Sequence, residues 1–261
     1  MLRAIDAVVF HGELNAGRTK PVILGCQNAD GSDAGEFVVK LRSEVEAQGG
    51  SSCFEVFGIL LAQHFDIATP EAVIVRIDER LASAIPVEYG GAAGRIRKSA
   101  GLNFGTKYLP GYRTWPHGQS IAAPLRTAAL ELFAFDALIQ NPDRGADRPN
   151  LLMGNGRILA IDHDSAFSFV LALGGPVDPC DLHELPFLAK HVFYGPLKGR
   201  DMDLEQFRGR LVTLHTRIGE ILAAAPPSWQ PSYSDKVESH LRAAASKANR
   251  FCEAIEWRLA K

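Results

Sequence analysis

The chain has 261 residues, 46% of them hydrophobic, and a formal net charge of −2 at pH 7. This length and apolar content suffice for one two-lobed domain or two small domains, at roughly 150 residues per domain. The near-neutral charge argues against a general attraction to nucleic acid or to an anionic membrane. The four cysteines form no Cys-x-x-Cys pair, which argues against a zinc site and a dense disulfide framework.

The first third of the sequence predicts a small sheet with one helix. Short apolar runs bounded by glycine and Asn/Asp turns indicate strands at residues 7–10, 22–26, 37–41 and 71–77. Residues 52–65 carry a broad apolar face at helical spacing. No run approaches the roughly 20 apolar residues that span a bilayer, and the apolar start, broken by Asp6, is too polar for a signal peptide. We therefore expect a cytoplasmic protein that makes no membrane contact.

Two elements of this region suit the binding of nucleotide phosphates. Lys40 lies at the inner end of the apolar run 36–40, and Glu55 on the following helix is placed to pair with it, as kinases require. An exposed acid favoured by the helix dipole is the other interpretation of Glu55. Upstream, Gly17 and Arg18 lie in a loop that fits either a glycine-containing phosphate loop or an ordinary solvent turn.

The strongest chemical signal lies between Leu138 and Ser168. An apolar helix over residues 125–140 leads into Asn-Pro-Asp-Arg, which gives Asp143 a rigid mount. Residues 151–153 and 158–161 then predict a hairpin around the turn Gly-Asn-Gly. This hairpin folds Asp162 back beside Asn150.

These residue types suit phosphoryl transfer. Magnesium prefers oxygen ligands, so Asn150 and Asp162 form a plausible pair of metal ligands, and Asp143 would then face the acceptor hydroxyl. Asp, Asn, Gly and Pro are also the ordinary residues of turns and helix caps, so the hairpin alone is compatible with a purely structural role. Asp136, on the preceding helix, is interpreted as structural and bonded to the loop that follows it.

A series of short motifs covers most of the first two thirds of the chain. In chain order, these motifs stand at residues 17–21, 37–40, 55 with 61–62, 69–71, 101–106, 108–111, 141–144, 149–152 and 161–163. Taken together in this order, they resemble the HipA-like kinases, and more closely the short HipA-like group without the N-terminal subdomain. A more distant likeness, through Asn-x-Asp-Arg and Ile-Asp, is to the phosphoinositide kinases.

The resemblance implies specific roles. By it Lys40 binds phosphate, Glu55 pairs with Lys40, Asp143 is the catalytic aspartate, and Asn150 and Asp162 bind Mg²⁺. Apart from the resemblance, the residues themselves suggest three further roles. Arg144 would stabilise charge or structure next to Asp143. The backbone of Tyr108 and Leu109 is a candidate adenine contact, and Gly17 with Arg18 a candidate phosphate loop.

Two positions depart from the pattern of this group. Arg148 stands where the group has the first Asn of Asn-Pro-Asn, so the metal-binding role is assigned to Asn150, the second. Asp164 stands where the group tends to have Gly. It is either an extra metal ligand or a cap for a helix beginning at Ser165, and the cap is preferred.

The remaining predictions concern the helical half and the histidines. Leu204 to Ala225 and Ser234 to Ala260 are predicted helices, and the basic residues 95–98 a solvated loop. His183 and His191 match no metal-binding spacing and are interpreted as surface or packing residues.

Together these observations predict an α+β, bilobal protein-kinase-like fold, with a β-rich N-lobe at residues 1–110 and a helical C-lobe at 111–261. The expected activity is ATP- and Mg²⁺-dependent transfer of the γ-phosphate to a hydroxyl, with nucleotide in the cleft. The resemblance alone favours a protein Ser or Thr acceptor and leaves an antitoxin-like or regulatory protein open as a partner; no direct contact with nucleic acid is expected. Two alternatives remain: a non-catalytic nucleotide-binding switch module, and a kinase of phosphoinositide-like lipids or small molecules.

Overall fold

The computed structural model describes residues 2–14, 20–44, 50–171, 178–200, 202–230 and 233–260, with the side chains of residues 50 and 51 left aside. The chain divides into two compact units. The first comprises Met1–Val56, Pro70–Pro110 and Ala225–Gln230, and the second Phe57–Thr69, Gly111–Ala224 and Pro231–Lys261. The domain boundary expected at residue 110 stays a prediction.

The first unit is built on a closed five-stranded barrel. Its strands are β1 (Arg3–Glu13), β2 (Val22–Gln27), β3 (Asp33–Lys40), β4 (Ala72–Ile77) and β5 (Gly101–Lys107). Their order around the barrel is β1-β2-β3-β5-β4, and neighbouring strands pair antiparallel except β1 and β4, which run parallel. Alternate residues, such as Leu24, Phe37 and Val39, fill the barrel. Helix α1 (Gly50–His64) begins in this unit and continues into the second.

One prediction in this unit is wrong. Residues 95–98 belong to helix α2 (Gly90–Lys98), not to a solvated loop. Ala92 and Ile96, four residues apart, are buried on one face of α2, and Arg95 pairs with Glu13 of β1. The two glycines at its start and the basic residues at its end concealed this short amphipathic segment.

The second unit combines a three-stranded sheet, in which the strands neighbour one another in chain order, with helices. The predicted hairpin is confirmed, and the sheet adds a third strand that the sequence analysis did not predict. The elements are β6 (Arg113–Thr114), α3 (Arg126–Leu138), β7 (Leu151–Gly154), β8 (Arg157–Ala160), α4 (Tyr194–Leu197), α5 (Glu205–Thr213), α6 (Ile218–Leu222), α7 (Ser234–Ser246) and α8 (Ala248–Ala260).

The C-terminal helices are shorter than predicted. A 3₁₀ turn at Leu214–Thr216 separates α5 from α6. The hydroxyls of Thr213 and Thr216 donate back to the carbonyls of Arg210 (3.0 Å) and Thr213 (2.8 Å), a competition with the helix backbone that favours such breaks. The second predicted helix is likewise divided into α7 and α8 at Lys247.

In the described part of the chain, no helix combines the length and apolar character that crossing a membrane requires.

Candidate active site

In the first unit, Lys40 and Glu55 form the predicted ion pair. Phe37 and Val39 of β3 point into the barrel, so Lys40 lies on the opposite face, with 15% of its side chain exposed. Glu55 is almost completely buried in α1, with 2% of its side chain exposed. A carboxylate so far from water needs a positive partner, and Lys40 supplies one. The interpretation of Glu55 as an exposed first-turn acid is therefore wrong.

Two further segments of this unit were predicted to contact the nucleotide, the loop at residues 17–18 and the connector at residues 108–109. Gly17 and Arg18 lie outside the described residues. Tyr108 and Leu109 follow β5 and are half-buried. The backbone N–H of Tyr108 donates to the carbonyl of Glu36 at 2.9 Å. A nucleotide base at this connector would therefore have to use its other backbone groups.

In the second unit, Asp143 and Asn150 are in direct contact. Helix α3 ends before Asn141, whose side-chain oxygen accepts the backbone N–H of Asp143 at 3.2 Å. The Asn150 amide donates to the carbonyl of Asp143 at 2.7 Å and to its carboxylate at 3.1 Å. Because its Nδ2 is used in this way, the Oδ1 of Asn150 is the atom that would serve a cation.

Asp162 comes close to this pair through the base of the hairpin. Beyond the β7–β8 ladder, the N–H of Ile161 donates to the carbonyl of Asn150 at 3.1 Å. The hairpin therefore brings the chain back at the residue before Asp162, as its sequence predicts. Arg148 is exposed, so the side chain that contacts Asp143 is that of Asn150.

The two residues expected to bind metal share an unusual backbone conformation. Asn150 has φ = 48° and Asp162 has φ = 63°, both in the left-handed region. Asn and Asp enter this region more readily than other non-glycine residues, and such conformations concentrate at functional sites. The backbone conformation therefore helps to set the direction of the Asn150 and Asp162 side chains.

Arg144 contacts the backbone of Asn150 and of Ile161, the residue before Asp162. Its side chain is fully buried and donates to Asp136 Oδ2 (2.8 Å) and Oδ1 (3.3 Å). It also donates to the carbonyl oxygens of Asn150 (2.5 Å) and Ile161 (2.9 Å). The guanidinium thus makes four donor contacts within the protein and has no exposed surface, so it is not placed to contact a substrate. Of the two roles left open for Arg144, the geometry supports the structural one.

Asp136 is structural, as the sequence analysis predicted, and it bonds the loop that follows it. The Asn141 amide and the Arg144 guanidinium both donate to its carboxylate, as does the ring of His191 at 3.1 Å. Burial alone would raise the pKa of the Asp136 carboxyl. Arg144 and His191 outweigh burial and lower that pKa to about 2.

Helix α1 supports the hairpin directly behind Asp162. His163 is buried, and its ring meets Phe135 of α3 edge-on with the centroids 6.1 Å apart. Gly58 of α1 faces it so closely that a Cβ at this glycine would lie 2.5 Å from the His163 Cβ. A residue without a side chain is therefore required where α1 passes His163.

The preferred role of Asp164 is wrong. No helix begins at Ser165 in the described region 161–171; residues 164 and 165 form a turn, and the first helical residue of the 3₁₀ segment is Ser168. Asp164 accepts the Ser165 hydroxyl at 3.0 Å instead. A carboxylate oxygen of Asp164 lies within 4.8 Å of one of Asp162, so the alternative of a second carboxylate at the metal position fits the geometry.

The contribution of His191 has no counterpart among the motifs of the sequence. This residue is 5% exposed and bonds Asp136 across the interior of the second unit. Its distance of 55 residues from Asp136 left no local pattern that would have revealed the pair. His183, in contrast, is on the surface beside Glu184, in agreement with the prediction.

Comparison with known proteins gives the fold and the family. In solved structures, the chain is similar to the proinflammatory kinase CtkA of Helicobacter pylori, with a TM-score of 0.57, 12% identity, and coverage of 97% of this chain and 99% of that one. A second similarity is to the PAN3 pseudokinase of Neurospora crassa, with a TM-score of 0.36, 12% identity, and coverage of 95% and 65%. The comparison with curated proteins found no match.

The fold is therefore protein-kinase-like, with a β-barrel N-lobe and a helical C-lobe. A family profile described as HipA-like kinase matches residues 8–259, almost the whole chain. The chain belongs to the HipA-like kinase family, and membership implies a phosphotransferase that uses ATP and magnesium.

Proposed function

We propose that this protein transfers the γ-phosphate of Mg-ATP to a serine or threonine hydroxyl of another protein. The observation that carries the proposal is the contact between Asn150 Nδ2 and the Asp143 carboxylate at 3.1 Å, beside a hairpin that returns at Asp162. The contact sets a candidate base and a candidate metal ligand side by side, as phosphoryl transfer requires.

Each residue then has a defined task. Asp143 orients the acceptor hydroxyl and accepts its proton. Lys40, held by Glu55, binds the α- and β-phosphates and neutralises part of their charge. These tasks consist of positioning and charge stabilisation, the two contributions that dominate phosphoryl transfer.

The oxygen donors of the second unit fit magnesium. Asn150 offers an amide oxygen and Asp162 a carboxylate, with the Asp164 carboxylate near Asp162. Such hard oxygen ligands, with phosphate oxygens and water completing the shell, are what Mg²⁺ takes. Bound there, the ion would neutralise charge on the β- and γ-phosphates.

The acceptor is tested by following label from γ-labelled ATP. The purified protein is incubated with Mg²⁺ in three reactions: with a cell lysate, with phosphoinositide vesicles, and alone. Label recovered as phosphoserine or phosphothreonine from protein supports the proposal. Label in the lipid fraction would assign a lipid kinase instead, and ATP binding with no transfer in any reaction would favour a nucleotide-dependent switch module.

A further inference from the structure

His191 is a buried polar residue to which the proposed reaction gives no task. It follows the 3₁₀ segment Pro186–Lys190 and is 5% exposed. Its ring packs edge-on against Phe133 of α3, with the centroids 5.0 Å apart and the planes at 90°. A residue that only filled this space would be apolar, since a buried polar ring costs free energy unless its nitrogens are bonded.

Both ring nitrogens have partners, and these partners fix the tautomer. The backbone N–H of Phe193 donates to Nδ1 at 3.1 Å, so Nδ1 carries no proton. The proton is therefore on Nε2, which donates to Asp136 Oδ2 at 3.1 Å. His191 is thus a neutral donor with a fixed orientation, not a ring that merely fills the core.

The backbone beside His191 is tied to the catalytic loop as well. His191 forms an isolated antiparallel bridge with Gly145. The N–H of Val192 donates to the carbonyl of Arg144 at 2.9 Å. The segment around His191 therefore runs alongside the residues that immediately follow Asp143.

Asp136 connects His191 to the metal-binding hairpin. Its Oδ2 accepts two donors, His191 Nε2 and Arg144 Nε at 2.8 Å. Arg144 in turn donates to the carbonyls of Asn150 and Ile161, the residues at the base of the hairpin. A shift of Asp136 would therefore move the buried side chain of Arg144. Through Arg144 it would disturb the left-handed backbone at Asn150 and Asp162.

We propose that His191 is a positioning residue for the metal-binding pair: by donating to Asp136 it fixes Arg144, and Arg144 fixes the backbone at Asn150 and Ile161. This inference rests on the proposed roles of Asn150 and Asp162 as Mg²⁺ ligands. It gives the segment around His191 an influence on metal binding through Asp136 and Arg144, although that segment supplies no proposed metal ligand. Partners behind a metal ligand commonly matter in this way.

Three substitutions separate positioning from packing. His191→Gln keeps an amide donor at the reach of Nε2, whereas His191→Leu and His191→Asn remove that donor. His240→Leu is the matched control, because His240 is also buried in the second unit and donates to a backbone carbonyl, that of Leu138, at 2.8 Å. Thermal unfolding of all four variants reports the purely structural cost.

Two readouts are measured for each variant: the Mg²⁺ concentration that gives half-maximal transfer, and the Mg²⁺ dependence of ATP binding by calorimetry. We expect His191→Leu and His191→Asn to raise the required Mg²⁺ concentration about tenfold or more. His191→Gln should stay within about threefold of the unmodified protein, and His240→Leu should leave the Mg²⁺ requirement unchanged. Should the leucine variant not fold, the contrast between Gln and Asn decides the question.

The inference is overturned if the Leu and Asn variants have the Mg²⁺ requirement of the unmodified protein, or if His240→Leu changes it equally. Calorimetry keeps this outcome apart from failure of the proposed function. An unmodified protein that transfers no phosphate would sink the proposed function. A selective loss of Mg²⁺-dependent ATP binding in His191→Leu and His191→Asn would still support the positioning role.

Discussion

Lys40 of the first unit and Arg144 of the second, the two charged anchors of the candidate site residues, have different surroundings. In the first unit, Lys40 forms an ion pair with Glu55 and keeps 15% of its side chain exposed. In the second unit, Arg144 is fully buried among Asp136 and two backbone carbonyls, and His191 completes the set. Part of the lysine side chain therefore remains accessible, whereas the arginine has no exposed surface and donates to partners inside the protein. A charged side chain at a candidate site can thus bind a substrate or stabilise the surrounding protein. The extent to which the side chain is buried distinguishes these two roles.

The largest effect should follow from breaking the buried anchor. Arg144→Met leaves Asp136 buried without its main positive partner, so we expect the free energy of unfolding to fall by about 3–5 kcal/mol. Urea denaturation measures this change. The matched control is Arg217→Ala, which breaks the exposed i,i+3 pair with Glu220 and should cost at most about 0.5 kcal/mol. Similar losses in the two variants would contradict the distinction between the anchors.

Removing the charge of Lys40 should lower catalytic efficiency. Lys40→Met deletes a positive charge aimed at the phosphates, and we expect kcat/KM for ATP to fall on the order of 100-fold. Glu55→Gln, which keeps the lysine and loosens its placement, should lose less. Steady-state kinetics on both variants check this order. A Lys40→Met enzyme within about threefold of the unmodified one would show that the lysine is not part of the site.

Asp162→Asn tests the metal position with little disturbance of the backbone. Asn tolerates the left-handed conformation that Asp162 adopts at φ = 63°, so the change removes charge and not geometry. We expect the Mg²⁺ concentration for half-maximal transfer to rise about tenfold. The measurement is a Mg²⁺ titration at fixed ATP, and an unchanged midpoint would exclude Asp162 as a ligand.

The smallest predicted effect is the dependence of folding stability on pH. Burial lowers the pKa of both His191 and His240 from the ordinary value of 6.5. As the pH falls, these histidines therefore bind protons in the unfolded chain before they do so in the folded protein. The stability that the two neutral rings contribute is present above about pH 6.5 and is lost progressively below it.

We expect the melting temperature to fall as the pH drops from 7.5 to 5.5, with both histidines contributing to the loss of stability. Asp136 acts in a separate window, because its pKa of about 2 removes its contribution only below the ordinary carboxyl value of 3.8. His240→Leu should flatten the slope between pH 7.5 and 5.5. A melting temperature independent of pH over that range would contradict the assignment.

The sequence predicts most of the fold because its signals are local. The apolar alternation of β3, the apolar face of α1 and the Gly-Asn-Gly hairpin each lie within one short segment, and each is confirmed. Helix α2 was missed because its apolar face is only two residues wide within a glycine- and arginine-rich segment. The division of the C-terminal helices was missed because threonine back-bonding overrides helical periodicity.

The candidate site divides in the same way. Asp143, Asn150 and Asp162 stand in one stretch of sequence, so a hairpin prediction sufficed to bring them together, and their roles stay predictions. The burial of Arg144 depends on Asp136 and on His191, far away in the chain. No spacing rule reports such a contact, since it exists only after the core has packed.

The central claim is that Asp143 is the catalytic group of a Mg-ATP phosphotransferase. The most direct test compares the unmodified protein with Asp143→Asn in transfer from γ-labelled ATP, with ATP affinity measured for both. The account predicts transfer reduced by about 10²- to 10⁴-fold in the variant, with ATP affinity nearly unchanged. Equal transfer by the two proteins would contradict it, as would an unmodified protein that binds no ATP.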